Sequence, residues 1–219
     1  DEPIIFVQVA LTKGLGKSIQ ELMKPTNNEE KLYDTATFYS ISNCQEGLSR
    51  VTLGNFLIKR VVFEIQEELP HIKNFGTLSP IPGFADWFTY LEDVKIKNIL
   101  GDLKDQDVSF LKLQNLKLGD GRIIKNKEAI IKLVAHYIVN EKNQQGLPLN
   151  EVSRFHLGNG AIVDDIIINA NISETGFKRS FGVMVNYLYE LKNIEKNHED
   201  YMNNNKTTVS NKVKKYLNN

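Results

Sequence analysis

The run Ile4–Leu11 (IIFVQVAL) is apolar at every position except Gln8. A run this continuous predicts a strand buried on both faces rather than one with a solvated side. Such a strand is central and needs neighbours on both sides, so on this pattern the chain is expected to fold poorly without residues upstream of it. A turn over Thr12–Gly16 leads to a short helix between Lys17 and Met23, and polar Lys24–Tyr33 reads as a surface loop. Thr35–Asn43 (TATFYSISN) is β-branched and aromatic, the composition of a second strand.

After the loop Gln45–Gly54 the period changes. Ile58, Val62, Ile65 and Leu69 recur on one helical face, with Val61 beside them, which predicts a helix over Asn55–Leu69. Asn55 is its expected N-cap and Pro70 its stop. Asn74–Leu78 predicts a third strand. It runs into Ser79-Pro80-Ile81-Pro82-Gly83-Phe84, where two prolines fix φ and remove two N–H groups. A helix around Trp87–Leu91 follows.

Asp93–Lys125 is charged and weakly periodic and reads as a connector of short helices. Lys127–Lys142 predicts a strong helix with Ile130, Ile131, Val134, Tyr137 and Ile138 on its apolar side. Leu147-Pro148 breaks the chain, and Asn150 can cap a further short helix that ends within Arg154–Gly160. Ala161–Ala170 reads as a strand, and Phe177–Leu191 fits either period. A polar linker and a short terminal helix are expected over 203–219. No internal repeat is present. Strands alternate with helices at first and then cluster, so the fold class is α+β (mixed α/β).

The chain has 219 residues, 41% hydrophobic and 25% charged, enough for a sizeable core in one large domain or two small ones. Lys plus Arg and Asp plus Glu balance at 27 each. That balance argues against a protein built to hold nucleic acid or an anionic membrane, though a local basic patch for a phosphorylated ligand is compatible with it. Cys44 is the single cysteine, so neither an internal disulfide nor a cysteine-based zinc site can form. A reducing, intracellular setting fits best. The apolar runs are too short to span a bilayer as helices. The chain opens on Asp1 close to a strand, and it is expected to begin inside a longer protein.

Four places have the residue types that chemistry needs. The first is the strand–loop–helix over Thr35–Leu69. A glycine-containing loop that opens a helix presents free N–H groups and a positive dipole end, which suits a pyrophosphate. Gly47 and Gly54 permit close approach, and Lys59 and Arg60 add charge one turn on. The spacing matches neither a dinucleotide-binding nor a Walker pattern, and a plain β–α connection explains the glycines on spacing alone. The second is Ser79, a hydroxyl at a strand end held by rigid neighbours, or simply a serine satisfying a turn amide.

His156 is the third. The nearby Gly158 and Gly160 either expose it to a ligand or merely close a helix C-terminus. Among the other histidines, His71 reads as surface or helix-end, His136 as packed and His198 as solvated. The fourth is Asn186-Tyr187-Leu188-Tyr189, whose tyrosines share a face only if the segment is extended. Core packing is the plain reading there, with one hydroxyl in a site as the sharper one. No G-x-S-x-G elbow, H-E-x-x-H motif or other metal-ligand cluster is present.

Strung together, DEPIIFVQVAL, TATFYSISNCQEGL, LGNFLIKRVV, TLSPIPGF, FHLGNGA and VNYLYELKNIEKNHEDY closely resemble the malonyl-CoA decarboxylase family. The strings SPIPGF and FHLGNGA are long, unusual and in the family's order. The resemblance implies an acetyltransferase-like (GNAT) sheet flanked by helices, incomplete at the N-terminus. It makes residues 1–202 a truncated catalytic domain, lacking the family's N-terminal helical domain and the first part of its catalytic domain.

The family's catalytic serine matches Ser79, its histidine His156, and a tyrosine of its site Tyr189. Its coenzyme A pyrophosphate would lie against Gly47, Leu48, Gly54 and Asn55, with Lys59 nearby. Thr52 stands where the family commonly has glutamate, so any ionic or base role of that glutamate is absent. Arg50 stands where a small glycine is usual.

The implied reaction turns malonyl-CoA into acetyl-CoA and carbon dioxide with no cofactor and no metal, because the thioester is its own electron sink. Ser79 would hold the substrate carboxylate. His156 would stabilise or protonate the enolate, and N–H groups of the glycine loop or of Leu157–Gly160 would serve the thioester oxygen. The implied partners are malonyl-CoA and acetyl-CoA, with no nucleic acid and no membrane. The full-length protein is expected to be a homo-oligomer in the cytoplasm, the mitochondrial matrix or a peroxisome. A coenzyme A-dependent acyltransferase of the same fold and a catalytically weak acyl-CoA-binding relative are the alternatives.

Overall fold

The structure, a computed structural model, describes residues 5–24, 32–43, 53–113 and 116–217. Strand β1 (Ile5–Thr12), the one-turn helix α1 (Ile19–Leu22) and strand β2 (Thr35–Asn43) come first. Helix α2 (Leu53–Glu68) leads to β3 (Asn74–Thr77). Helices α3 (Phe84–Thr89), α4 (Asp93–Leu100), α5 (Gly121–Lys125) and α6 (Lys127–Val139) follow, with two 3-10 turns among them. Then come α7 (Glu151–Gly158), β4 (Ile162–Ile167), α8 (Glu174–Ser180) and β5 (Met184–Leu188). Helices α9 (Ile194–Asn204) and α10 (Asn211–Leu217) close the chain. The five strands lie in one sheet in the order β1-β2-β3-β5-β4, as expected of an α+β protein.

The apolar run at the start forms a strand, as its pattern predicts. Among the described residues β1 pairs only with β2, and its side chains from Phe6 to Thr12 are half-buried or exposed, Phe6 being 50% exposed. The inner strands are β2, β3 and β5; β2 pairs antiparallel with β1 and parallel with β3 over Thr35–Phe38. Those four residues are buried. Between Gln8 and Val9 the register slips past Tyr39. Such a bulge breaks the two-residue alternation, and Tyr39, Ser40 and Ile41 are only half-buried.

Helix α2 begins at Leu53, so Asn55 is already inside the first turn and is not the N-cap. The preceding loop, 44–52, lies outside the described residues. The apolar stripe is otherwise as predicted, with Ile58 and Val62 buried. Asn150 does cap α7, its Oδ1 accepting from the Ser153 N–H at 2.9 Å. The ambiguous stretch Phe177–Leu191 contains the end of one helix and then a strand, α8 and β5.

The chain forms two compact units. The first comprises Asp1–Ser79, Phe155–Ile162 and Asn186–Thr208. Its core includes Phe38, Ile58, Ile72, Phe75, Leu78 and Leu157, all at most 2% exposed. The second comprises Pro80–Arg154, Val163–Val185 and Val209–Asn219. There Phe84 and Phe88 of α3 pack edge-on to Phe181, and α6 buries Ile130, Leu133, Val134 and Ile138. The proline segment is anchored in this unit, because the Pro82 carbonyl accepts from both Tyr137 Oη (3.1 Å) and Asn150 Nδ2 (2.9 Å).

Candidate active site

Ser79 lies two residues beyond Thr77, the last residue of β3, so in an extended chain the two side chains share a face. His156 is in the last turn of α7. Tyr189 follows β5 and is tied to the sheet by its N–H, which donates to the Phe75 carbonyl at 2.8 Å. All belong to the first unit.

The side chains form a single chain of hydrogen bonds. Ser79 Oγ donates to Thr77 Oγ1 at 2.8 Å. His156 Nε2 is 3.0 Å from Ser79 Oγ, and its Nδ1 is 2.8 Å from Tyr189 Oη. Thr77, Ser79, His156 and Tyr189 are 1%, 6%, 3% and 2% exposed. These few-percent exposures matter because every polar atom must find its partner within the protein. The Tyr187 ring stacks on the imidazole with centroids 4.5 Å apart, and Phe155 meets it edge-on at 5.0 Å. Enclosure of this kind disfavours charge: burial pulls the His156 pKa down to about 3 and pushes that of Tyr189 well above its ordinary value. Near neutrality the imidazole is uncharged and Tyr189 keeps its proton.

Thr77 is held from three sides. Its Oγ1 accepts from the Tyr187 N–H at 3.3 Å. Its carbonyl accepts from Asn186 Nδ2 at 2.8 Å, and the same amide group donates to the Gly16 carbonyl at 3.0 Å. Asn186 is 1% exposed. Its two N–H groups tie the loop after β1 to the end of β3, one residue from the Tyr187 that packs on His156.

The geometry decides among the readings left open by the sequence. Ser79 is not a turn serine, because its hydroxyl engages Thr77 and His156. Tyr187 and Tyr189 do share a face, one giving its ring and the other its hydroxyl to the same imidazole.

The glycines after His156 have a different role from exposure. Gly160 adopts φ +79°, and a Cβ there would lie 2.1 Å from the Ile194 carbonyl oxygen. It lets the end of α7 press on the start of α9. The expected N–H donors of Leu157–Gly160 are already engaged: Asn159 donates to the Phe155 and His156 carbonyls, and Gly160 to that of Leu157. Leu157 and Gly158 lie inside the helix. This stretch therefore supplies no free oxyanion donors.

Gly47 and Leu48, like Arg50 and Thr52, lie outside the described residues. Gly54 and Asn55 are in the first turn of α2, where backbone N–H groups lack intrahelical acceptors. Lys59, half exposed, pairs with Glu195 of α9, and Arg60 pairs with Glu64 one turn on. His198 is not solvated as expected: it is half-buried, with Nδ1 2.6 Å from the Gly158 carbonyl oxygen. His136 is packed as predicted, stacked on Trp87.

Sequence reasoning missed Thr77 and underrated Asn186. The signal for Thr77 was its two-residue offset from Ser79 in a strand, the same offset that relates Tyr187 to Tyr189.

An α+β domain in which a serine beside a strand, a helix-end histidine and a tyrosine form one buried, uncharged hydrogen-bond chain has the parts of an acid–base active site. Comparison with known proteins agrees on its kind. The family model of the malonyl-CoA decarboxylase C-terminal domain matches residues 1–219. The mitochondrial malonyl-CoA decarboxylase of Anser anser anser is 36% identical over 239 aligned residues, covering 99% of this chain and 47% of the relative. The mitochondrial enzyme of Mus musculus is 37% identical over 234, covering 97% and 47%. The crystal structure of malonyl-CoA decarboxylase from Rhodopseudomonas palustris superposes with a TM-score of 0.84 at 39% identity, covering 99% of this chain and 50% of that one. The chain belongs to the malonyl-CoA decarboxylase family and spans about half the length of these relatives.

Proposed function

We propose that the protein decarboxylates malonyl-CoA to acetyl-CoA and carbon dioxide through an enolate. The observation that carries this is the buried chain Ser79–His156–Tyr189 in a member of this family. In the reaction the bond between the carboxylate carbon and the α-carbon breaks. Its electron pair moves onto the α-carbon and the thioester oxygen, carbon dioxide leaves, and the α-carbon takes up one proton. The protein must hold the carboxylate, stabilise the enolate and exclude water.

Ser79 offers the hydroxyl for the carboxylate. His156 offers a neutral N–H for the enolate oxygen. A neutral imidazole is the appropriate donor there: it is a weak acid of much the same strength as the enol, so it can share its proton without being permanently ionised. Fixed donors of this kind stabilise developing charge best in an enclosed, water-poor site. Coenzyme A is substrate, and its pyrophosphate is assigned to the first turn of α2 and the loop before it. An intracellular compartment, the mitochondrial matrix among those expected, belongs to the same reading and is supported by the mitochondrial relatives.

The test is product analysis with the full-length protein and malonyl-CoA. Equal amounts of carbon dioxide and acetyl-CoA are expected. Acyl transfer to an added amine without carbon dioxide release would replace this reading with an acyltransferase, and binding of acyl-CoA without turnover would replace it with a binding protein.

A further inference from the structure

We infer that Thr77 is a positioning residue that fixes the direction of the hydrogen-bond chain, holding the Ser79 proton and so keeping the His156 proton on Nε2. As a statement about catalysis it rests on the decarboxylase reading of this site. A hydroxyl has one hydrogen and two lone pairs, and a neutral imidazole has one N–H and one bare nitrogen. The Tyr187 N–H and the Ser79 hydroxyl both donate to Thr77 Oγ1. In the substrate-free protein the single Ser79 proton therefore goes to Thr77, and Ser79 holds a substrate carboxylate only by turning that hydrogen away from Thr77. The 3.0 Å contact between Ser79 Oγ and His156 Nε2 then needs its hydrogen from the imidazole. With that proton on Nε2, Nδ1 is bare, and Tyr189 Oη donates to it across 2.8 Å. All three bonds run one way, from Tyr189 to His156 to Ser79 to Thr77.

Thr77 is suited to end such a chain. It is β-branched, which restricts its side-chain torsion. Its backbone is pinned by Asn186 and by pairing with Phe38 of β2. The acceptor therefore stays where the Ser79 hydrogen needs it.

The direction has a chemical consequence. With Nε2 already protonated, His156 has no lone pair toward Ser79 and cannot activate it as a nucleophile, which an acyl-serine route would require. It presents an N–H instead, the group an enolate needs. Without Thr77 the serine hydrogen can turn to Nε2, Nδ1 takes the imidazole proton, and the donor is lost.

The experiment is long-range proton–nitrogen NMR on the full-length protein labelled with ¹⁵N-histidine, the His156 signals being assigned by their loss in His156→Gln. The wild-type protein should show His156 protonated on Nε2. Thr77→Val, which keeps the shape and removes the acceptor, should move the proton wholly or partly to Nδ1. In turnover it should lower kcat by roughly 10–100-fold with KM nearly unchanged, the size of one good hydrogen bond lost in the transition state. Thr77→Ser, which restores the acceptor, should restore both the Nε2 signal and most of kcat. An Nδ1-protonated His156 in the wild type overturns the inference whatever the variants do, as does a Thr77→Val protein whose tautomer is unchanged. Because the tautomer is read without substrate, a wild-type protein that fails to release carbon dioxide removes the proposed function and leaves this result standing on its own.

Discussion

Tyr189 Oη lies 2.8 Å from His156 Nδ1, and both groups are buried, so each is the other's partner away from bulk water. A buried acceptor that loses its donor costs about 1–3 kcal/mol. Tyr189→Phe keeps the ring and removes only the hydroxyl. Its stability in the full-length protein is expected to fall by about that amount, with kcat reduced and coenzyme A affinity nearly unchanged. Chemical denaturation and steady-state kinetics measure the two effects. A stability equal to the wild type's would mean that Nδ1 finds another donor.

Burial of His156 also makes stability depend on pH. Its pKa is about 3 in the folded protein and near 6.5 in an unfolded chain. Between those values the unfolded chain binds the proton and the folded protein does not. Stability is therefore lost as pH falls from about 6.5 toward 3, by an amount on the order of a few kcal/mol for this group alone. His156→Gln, which has no titrating ring, is expected to show a shallower decline over the same window. Denaturation curves recorded from pH 7 to pH 4 test it, and parallel slopes for the two proteins would count against a buried neutral histidine.

The candidate site was more legible than the sheet. Ser79, His156 and Tyr189 sit in distinctive strings, and two-residue spacing places Tyr187 beside Tyr189 and Thr77 beside Ser79 on common faces. Long helices such as α6 were plain because thirteen residues give a periodic stripe several turns to repeat. Strand order was another matter. An apolar run reports that a strand is hydrophobic, not which neighbours it has, because pairing is decided by residues far away in the chain. Helix α9 was hidden by its charge: only Ile194, Asn197 and Tyr201 are buried on it, too thin a stripe to stand out in IEKNHEDY.

Gly160 should be intolerant of any side chain. Its φ of +79° is strained for an L-residue, and an added Cβ would meet the Ile194 carbonyl oxygen at 2.1 Å. Backbone on both sides leaves little room to relax. Gly160→Ala is expected to cost about 3 kcal/mol or more, summing left-handed strain and overpacking. Gly158→Ala, whose Cβ would meet only the Tyr201 ring at 3.7 Å, should be mild by comparison. Melting temperatures of the two variants separate the cases. If they were equal, the packing of α7 on α9 would not be what requires glycine.

Ser79 and His156 share one transition state in the proposed reaction. They are 77 residues apart and 3.0 Å from each other, and in the proposed reaction one holds the carboxylate while the other meets the enolate oxygen. Ser79→Ala removes the hydroxyl for the carboxylate and leaves Nε2–H without its acceptor. His156→Ala removes the donor for the enolate and leaves Ser79 still bonded to Thr77. Each is expected to lower turnover by roughly 10²-fold or more, the scale of a fixed donor at developing charge, with a much smaller effect on coenzyme A binding, whose assigned residues are elsewhere. Groups that act as a unit do not lose activity additively. The double variant should therefore resemble the worse single variant. Turnover of the three full-length variants on malonyl-CoA, with coenzyme A affinity measured in parallel, decides it: multiplying losses would show two independent groups, and near-normal turnover in His156→Ala would remove the histidine from the chemistry altogether.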